Sequence, residues 1–289
     1  MSANRVQALL DEMQTIVFPG VYDTLSAKIV EAVGFRLGFI SGYSVAATFI
    51  GEPDLGLLTQ TEMLQRARTI CRSVSIPIIV DADTGYGNPL NVIRTIEELI
   101  DAGAAGCFLE DQVWPKKCGH MRGKKVIDRE DYIQKIRAAA HARRSRDFFI
   151  VARTDALAAV GMEEAVARME EARAAGADAS FIEAPGDLPS LEAIGKRVPR
   201  PAVANMIEGG KTPVLPKAEL AAMGFSLVVY PLSGLFASAR ALRRIYEALL
   251  RDDTTLGRLE DLMLFDRFND VIGVEQKYAQ AERFGEGSD

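Results

Sequence analysis

Eight short runs rich in β-branched and aromatic residues recur along the chain with helical stretches between them, and this alternation constrains the fold more than any other feature. The runs are Thr15–Pro19, Leu37–Ser41, Ile76–Asp81, Gly106–Glu110, Phe148–Arg153, Ala179–Glu183, Pro201–Ala204 and Ser226–Tyr230. Most are apolar throughout rather than alternating, the pattern of strands covered by protein on both faces. Strands that alternate with helices read as βαβ units and a parallel sheet. The segments between, such as Leu90–Ala102 and Gly161–Ala175, carry apolar residues at three- and four-residue spacing, which is one face of a helix. Gly34, Gly103, Gly176 and Gly224 each stand where a helix should stop and the next strand begin.

Eight such units, with no linker rich in Pro, Gly or Ser and no GxGxxG turn, favour an α/β fold closed as a (β/α)8 TIM barrel over an open doubly wound sheet. The 289 residues then form a single domain, since such a barrel takes about 250 residues. After the last strand a helix is expected near Ser238–Leu250, then a further helical tail over Leu256–Arg283, so that about 252–289 is an extension. Gly285–Asp289 is expected to fray.

Composition narrows the function classes. No apolar run approaches the roughly 20 residues of a bilayer helix, and Met1 to Asp11 lacks an apolar signal region, so a cytoplasmic protein without membrane contact is expected. A formal charge of -6 argues against nucleic acid as a partner, because that attraction is supplied by surplus Lys and Arg. The three cysteines, Cys71, Cys107 and Cys118, are too few and too irregular for a disulfide framework. Two histidines, His120 and His141, make an imidazole-built zinc site improbable and leave oxygen-ligated metals open.

In a (β/α)8 barrel the carboxyl ends of the strands share one mouth, and the polar residues of this chain gather at those ends. The exits read Ser41-Gly42-Tyr43, Asp81-Ala82-Asp83, Glu110-Asp111-Gln112, Arg153-Thr154-Asp155, Glu183 and Asn205. Asp81, Asp83 and Glu110 make a hard, all-oxygen set suited to Mg²⁺ that keeps several waters; an Asp-x-Asp before Gly85-Tyr86-Gly87 would also serve as a turn and cap. Arg153 cannot lose its charge and is a natural clamp for a carboxylate or alkoxide, or else a structural partner of Glu183. Asn205 and the Glu208–Pro213 loop offer amide and hydroxyl donors to a second carboxylate, and the same loop would serve equally as a tight turn. Cys118 follows Lys116 and Lys117 and precedes His120, an electropositive setting expected to favour the thiolate; the competing reading is a spare thiol in a loop kept wet by Lys116, Lys117, Arg122, Lys124 and Lys125. Cys71 and Cys107 have apolar neighbours and read as core.

The segments EDQVWPKKCGH at Glu110–His120, DADTGYG at Asp81–Gly87, ARTDA at Ala152–Ala156 and ANMIEGGKTP at Ala204–Pro213 resemble the isocitrate lyase/PEP mutase superfamily. The likeness runs from about Phe18 to Arg251 and is strongest to the group of 2-methylisocitrate lyase, 2,3-dimethylmalate lyase and petal death protein. The resemblance implies a Mg²⁺-dependent carbon–carbon lyase, with Mn²⁺ as a possible substitute. Its substrate would be a 2-alkylmalate or 2-methylisocitrate type of 2-hydroxy dicarboxylate, cleaved to pyruvate and a carboxylate. It implies Asp54, Asp81, Asp83 and Glu110 as the metal cluster, and Cys118, Arg153 and His120 as catalytic. It also implies Ser41, Gly42, Tyr43, Lys116, Gly119, Arg153, Glu183, Asn205, Gly210 and Thr212 as substrate-binding. The assembly implied is a homotetramer, a dimer of dimers that exchange the C-terminal helix. Phe39 departs from the tyrosine of some methylisocitrate lyases, and Pro231 from the serine of the oxaloacetate hydrolases. The alternatives are a carboxyphosphonoenolpyruvate phosphonomutase, an oxaloacetate hydrolase or decarboxylase, and a non-catalytic barrel.

Overall fold

In the computed structural model, which describes residues 4–285, eight parallel strands form one sheet in the order β6-β5-β4-β3-β2-β1-β8-β7. They are β1 (Ile16–Val21), β2 (Gly38–Ile40), β3 (Ile78–Asp81), β4 (Gly106–Glu110), β5 (Phe149–Thr154), β6 (Ala179–Ile182), β7 (Val203–Asn205) and β8 (Leu227–Tyr230). A parallel bridge between Ser180 and Ala202 joins β6 to β7, so the two ends of the sheet meet and the barrel closes. All eight expected strands are present, and β4 has the expected ends. β1 runs two residues further than Pro19 because pairing continues, Gly20 opposite Phe39 and Val21 opposite Ile40. Gly20 is required there: a Cβ would lie 2.0 Å from the Pro231 carbonyl oxygen.

The core has two layers. Between strands and helices lie Ile40, Ile78, Val80, Cys107, Ile150 and their helical partners. Inside the barrel lie Ile16, Phe18, Phe39, Ile79, Phe108, Phe149, Val151, Phe181, Val203, Leu227 and Val229. The helix Arg5–Met13 plugs the amino-terminal end of the barrel by adding Val6, Leu9 and Leu10 to that inner cluster. Asn4 starts this helix by accepting from the backbone N–H groups of Val6 and Gln7, as an N-cap does.

After β8 the chain forms one long helix, Ser233–Asp252, longer than expected at both ends. The tail that follows is not continuous: a 3-10 turn, Leu256–Asp261, precedes the helices Phe265–Ile272 and Val274–Arg283. Gly273, at φ 79°, breaks the last two apart. The expected fraying falls largely on residues 286–289, which lie outside the described residues. No helix among the described residues is long and apolar enough to cross a membrane.

Candidate active site

The mouth is built by the two-residue period of a strand. Residues two apart face the same side, so each inward core residue directs the residue two further on into the mouth. Phe39 leads to Ser41, Ile79 to Asp81, Phe108 to Glu110, Val151 to Arg153, Phe181 to Glu183 and Val203 to Asn205. The inner core therefore ends in a floor of Phe39, Phe108 and Phe181, with ring centroids 4.6 Å and 5.5 Å apart in sequence order. Above it lies a cavity of about 440 Å³ bounded by Ser41, Tyr43, Asp54, Asp81, Cys118 and Arg153 among others.

Asp81, Asp83 and Glu110 are all buried. Asp83 has φ 48°, a left-handed conformation that Asp tolerates better than most residues. Its backbone is fixed on both sides: its N–H donates to Asp81 Oδ1 at 3.2 Å and its carbonyl accepts from Glu110 N at 2.9 Å. Lys116, 2% exposed, reaches into this acid cluster, its Nζ 2.6 Å from Asp54 Oδ1 and 2.8 Å from Asp83 Oδ1. Burial nevertheless pushes the Asp83 carboxyl up to about 7, with Asp81 and Asp54 adding to the rise against Lys116. Burial also raises Glu110 well above its ordinary value against the pull of Arg153, and neither Glu110 carboxyl oxygen has a hydrogen-bond partner.

Six carboxylates (Asp54, Asp81, Asp83, Glu110, Asp155, Glu183) thus face three cations, Lys116, Lys124 and Arg153. Uncompensated buried charge is costly, and a divalent cation fits this deficit. Among the described residues no three His, Cys, Asp or Glu side chains close around one point. The arrangement suits an ion that keeps part of its water shell, as Mg²⁺ does.

The loop between β4 and the helix Arg129–Arg143 carries Cys118. Its ends are held by an antiparallel bridge between Gln112 and Val126. The Gln112 amide brackets Lys117, donating to its carbonyl at 2.8 Å and accepting from its N–H at 3.0 Å. Cys118 N–H donates to the Asp54 carbonyl at 3.1 Å, and Cys118, Gly119 and His120 all border the cavity. A Cβ on Gly119 would lie 2.3 Å from Glu183 Cγ and 2.8 Å from Arg153 Nη2, so only glycine lets the loop settle this deep.

Arg153 is the hub of the mouth. Its guanidinium lies 3.1 Å from Glu110, 3.1 Å from Asp155 and 3.5 Å from Glu183, and sits over the Phe181 ring at 5.6 Å. Burial opposes ionisation of Glu183, yet Arg153, His120 and Lys124 overcome it and hold the carboxyl down to about 2. Asn205 Nδ2 donates to both Glu183 oxygens, at 3.3 and 3.2 Å. His120 Nδ1 accepts from Lys211 N–H at 2.9 Å while Nε2 faces Glu183 Oε1 at 3.3 Å. Gly210 packs against the imidazole, where a Cβ would come within 2.7 Å of Nδ1. At the opposite wall Ser41 caps the Gly42–Val45 turn by accepting from Ser44 N–H, and Gly42 N–H donates to Asp81 Oδ2 at 3.3 Å.

The family model described as phosphoenolpyruvate phosphomutase matches residues 6–250. The chain belongs to the PEP mutase/isocitrate lyase superfamily. It is an enzyme of that superfamily. It is 50% identical to the carboxyvinyl-carboxyphosphonate phosphorylmutase of Arabidopsis thaliana, over 97% of this chain and 84% of that one. It is 42% identical to the 2,3-dimethylmalate lyase of Eubacterium barkeri, over 95% of each. Among solved structures, oxaloacetate acetylhydrolase with 3,3-difluorooxalacetate superposes with a TM-score of 0.94 at 33% identity, covering 99% of this chain and 98% of that one. Phosphonopyruvate hydrolase with oxalate and Mg++ superposes at 0.88 and 31%, covering 98% and 99%.

Ten of the residues that the superfamily resemblance singled out border the cavity, namely Ser41, Tyr43, Asp54, Asp81, Cys118, Gly119, His120, Arg153, Glu183 and Asn205, whereas Gly42, Asp83, Glu110, Lys116, Gly210 and Thr212 do not; Asp83 and Glu110 lie beneath it, buried beside Asp81. Lys116 stands behind it in the acid cluster, Gly210 backs His120, and Thr212 is buried. The expected electropositive setting of Cys118 is corrected. Burial, helped by Asp54 and Glu183, pushes the thiol up to about 11, because the charge of Lys116 is taken by Asp54 and Asp83. The group is a thiol at neutral pH. Burial likewise raises Cys107 and pushes Cys71 up to about 12, as expected of inert positions. Sequence reasoning named Asp155 at a strand exit and Lys124 in the loop but gave neither a role in the site. Asp155 follows Arg153 at a strand exit, a usable signal; Lys124 stands in a run of surface-like charges and gave none.

Proposed function

We propose that the chain is a divalent-metal-dependent carbon–carbon lyase. Its substrate is a 2-hydroxy dicarboxylate with an apolar substituent, of the 2-alkylmalate type, which it splits into an α-keto acid such as pyruvate and a carboxylate. The observation that carries this reading is the convergence of Cys118, whose thiol burial pushes up to about 11, with Arg153, Asp54 and Asp81 on one cavity.

Mg²⁺, or Mn²⁺ in its place, would be held by Asp81, Asp83, Glu110 and Asp54, partly through water, where it would act as a Lewis acid that lowers the pKa of the substrate 2-hydroxyl. The 2-hydroxyl gives its proton to a carboxylate bordering the cavity, and cleavage then breaks the C2–C3 bond, the electron pair passing to C3 as C2 becomes a carbonyl. Arg153 presents a fixed cation to the enolate that forms. Cys118 donates its proton to C3, a step favoured because such an enolate is a far stronger base than a thiolate. Ser41, Tyr43 and Asn205 border the cavity and would donate to the substrate carboxylates.

The walls support the choice of substrate. Phe39, Phe181, Ile207, Val229, Pro231 and Leu232 make one side of the cavity apolar, and Arg153 is the only Lys or Arg bordering it among the described residues. The third carboxylate of 2-methylisocitrate, or a phosphonate, would lack a counter-charge there. The 50% identity to the Arabidopsis phosphorylmutase favours a second reading, the phosphonomutase. The discriminating assay couples keto-acid release to a reporter across 2-alkylmalates, 2,3-dimethylmalate, 2-methylisocitrate and oxaloacetate with Mg²⁺, with phosphorus NMR of a carboxyphosphonate in parallel. A preference for 2-methylisocitrate, or turnover of the phosphonate alone, would sink the proposal.

Metal binding has its own readout. Asp83 has its carboxyl near 7 in the folded chain, so below that pH the ion must displace a proton. Apparent Mg²⁺ affinity is expected to fall about tenfold or more per pH unit below 7. By the same linkage the metal-free fold loses stability as pH rises from about 4 towards 7, because the folded form holds a proton that the unfolded form has released. Calorimetric titration with MgCl₂ at pH 6 and 8 checks this; equal affinities would remove Asp83 from the metal site.

The assembly that accompanies this reading is the homotetramer of helix-swapped dimers. Of the twenty residues of Ser233–Asp252 only Ala248 is buried, and Leu242, Tyr246, Leu249 and Leu250 are exposed, a face that suits cover by a second copy. Light scattering should give four chain masses, and a monomer would exclude the exchange.

A further inference from the structure

Lys124 stands among basic residues in the loop that carries Cys118, and unlike Arg122 and Lys125 its charged end is inside the protein. Its side chain is 2% exposed. Nζ lies 2.6 Å from the Gly119 carbonyl oxygen and 2.6 Å from Asp155 Oδ1. Asp155 is fully buried, and its other oxygen accepts from Arg153 Nε at 3.1 Å. Its backbone N–H donates to Asp111 Oδ1 at 2.9 Å. Asp111 in turn is held by Thr154 Oγ1 and by Arg168 Nη1 at 3.0 Å. The carboxylate that Lys124 grips is therefore fixed from behind. An ammonium taken out of water is tolerated only when paired, so the pair binds the loop to β5 and cannot slide.

Neither residue borders the cavity. What they touch are the two groups that do: Gly119, the peptide next to Cys118, and the Arg153 guanidinium. We infer that Lys124 and Asp155 form a positioning pair, in which one buried bridge sets the Cys118–Gly119 segment relative to Arg153. The thiol and the guanidinium, on different elements, are thereby placed by a common carboxylate. Removing either member should free the loop and expose Cys118.

The test uses the full chain and reads iodoacetamide modification of each cysteine by mass spectrometry. Lys124→Met and Asp155→Asn are each expected to speed modification of Cys118 tenfold or more, with Cys107 unchanged. The double variant should exceed the larger single effect by less than twofold, because one link is broken either way. A Cys118 rate within twofold of the parent, effects that multiply in the double variant, or a rise shared by Cys107 as in general loosening, would each overturn the pair. Should Lys124→Met fail to fold, Lys124→Gln keeps a donor for the Gly119 carbonyl but drops the charge; at least a threefold rise is expected and no rise overturns the inference. The kinetic consequence rests on the lyase reading: kcat should fall tenfold or more with KM within threefold and Mg²⁺ affinity unchanged. Exposed Cys118 with unchanged kcat would count against the roles of Cys118 and Arg153 in the reaction while leaving the bridge standing.

Discussion

Replacing Arg153 with methionine is expected to cost the fold about 3–5 kcal/mol, the usual penalty for removing one partner of a buried ion network, and to lower kcat by about 10²–10³. The guanidinium is 8% exposed and is shared by Glu110, Asp155 and Glu183. Without it those three carboxylates would face one another in a cavity closed to most water, with Lys124 and His120 as the nearest compensation. Catalysis loses the one fixed cation that meets the developing enolate, a loss of about 10²–10³ in kcat by comparison with other electrostatic stabilisers. Arg153→Lys should rescue little, because a single ammonium cannot serve three separated carboxylates. Urea unfolding and kcat/KM on the same preparations check both parts. A variant as stable as the parent would show that the acids are protonated and need no partner; normal turnover would remove Arg153 from the reaction.

Cys118→Ser should leave the fold and Mg²⁺ binding intact and lower kcat by about 10²–10⁴, the range for loss of a positioned general acid. The substitution keeps the size of the group and the backbone N–H donated to Asp54, but a hydroxyl gives up its proton far less readily than a thiol. The effect should lie in kcat rather than KM, since the thiol is asked to act only after the bond breaks. Unaltered kcat would assign proton delivery to another group.

How much of this was legible in the sequence depended on whether a feature had a period. The strands and the mouth did: Asp81, Glu110, Arg153, Glu183 and Asn205 stand at the strand exits, where reading the polar residues that end each apolar run found them, and the structure shows that they continue the inward register of apolar residues two positions earlier. β1 was read as ending at Pro19, whereas its pairing with β2 continues through Gly20 and Val21, where Gly20 admits the Pro231 carbonyl. The state of Cys118 was misread because sequence shows the charges beside a thiol and not where those charges are spent. Lys116 turns away into the acids, and Lys124 finds a carboxylate 31 residues on. Such pairings depend on loop closure, which no local spacing encodes.

The aromatic floor couples substrate choice to folding. Phe39, Phe108 and Phe181 are at once the uppermost tier of the barrel interior and part of the lining of the cavity. Trimming one of these rings to admit a bulkier guest would open a void in the buried barrel interior, at about 3–5 kcal/mol for Phe→Ala. Broadened specificity in this scaffold should therefore arise first at Ile207, Pro231 and Leu232, which follow the strands and can vary without hollowing out the trunk.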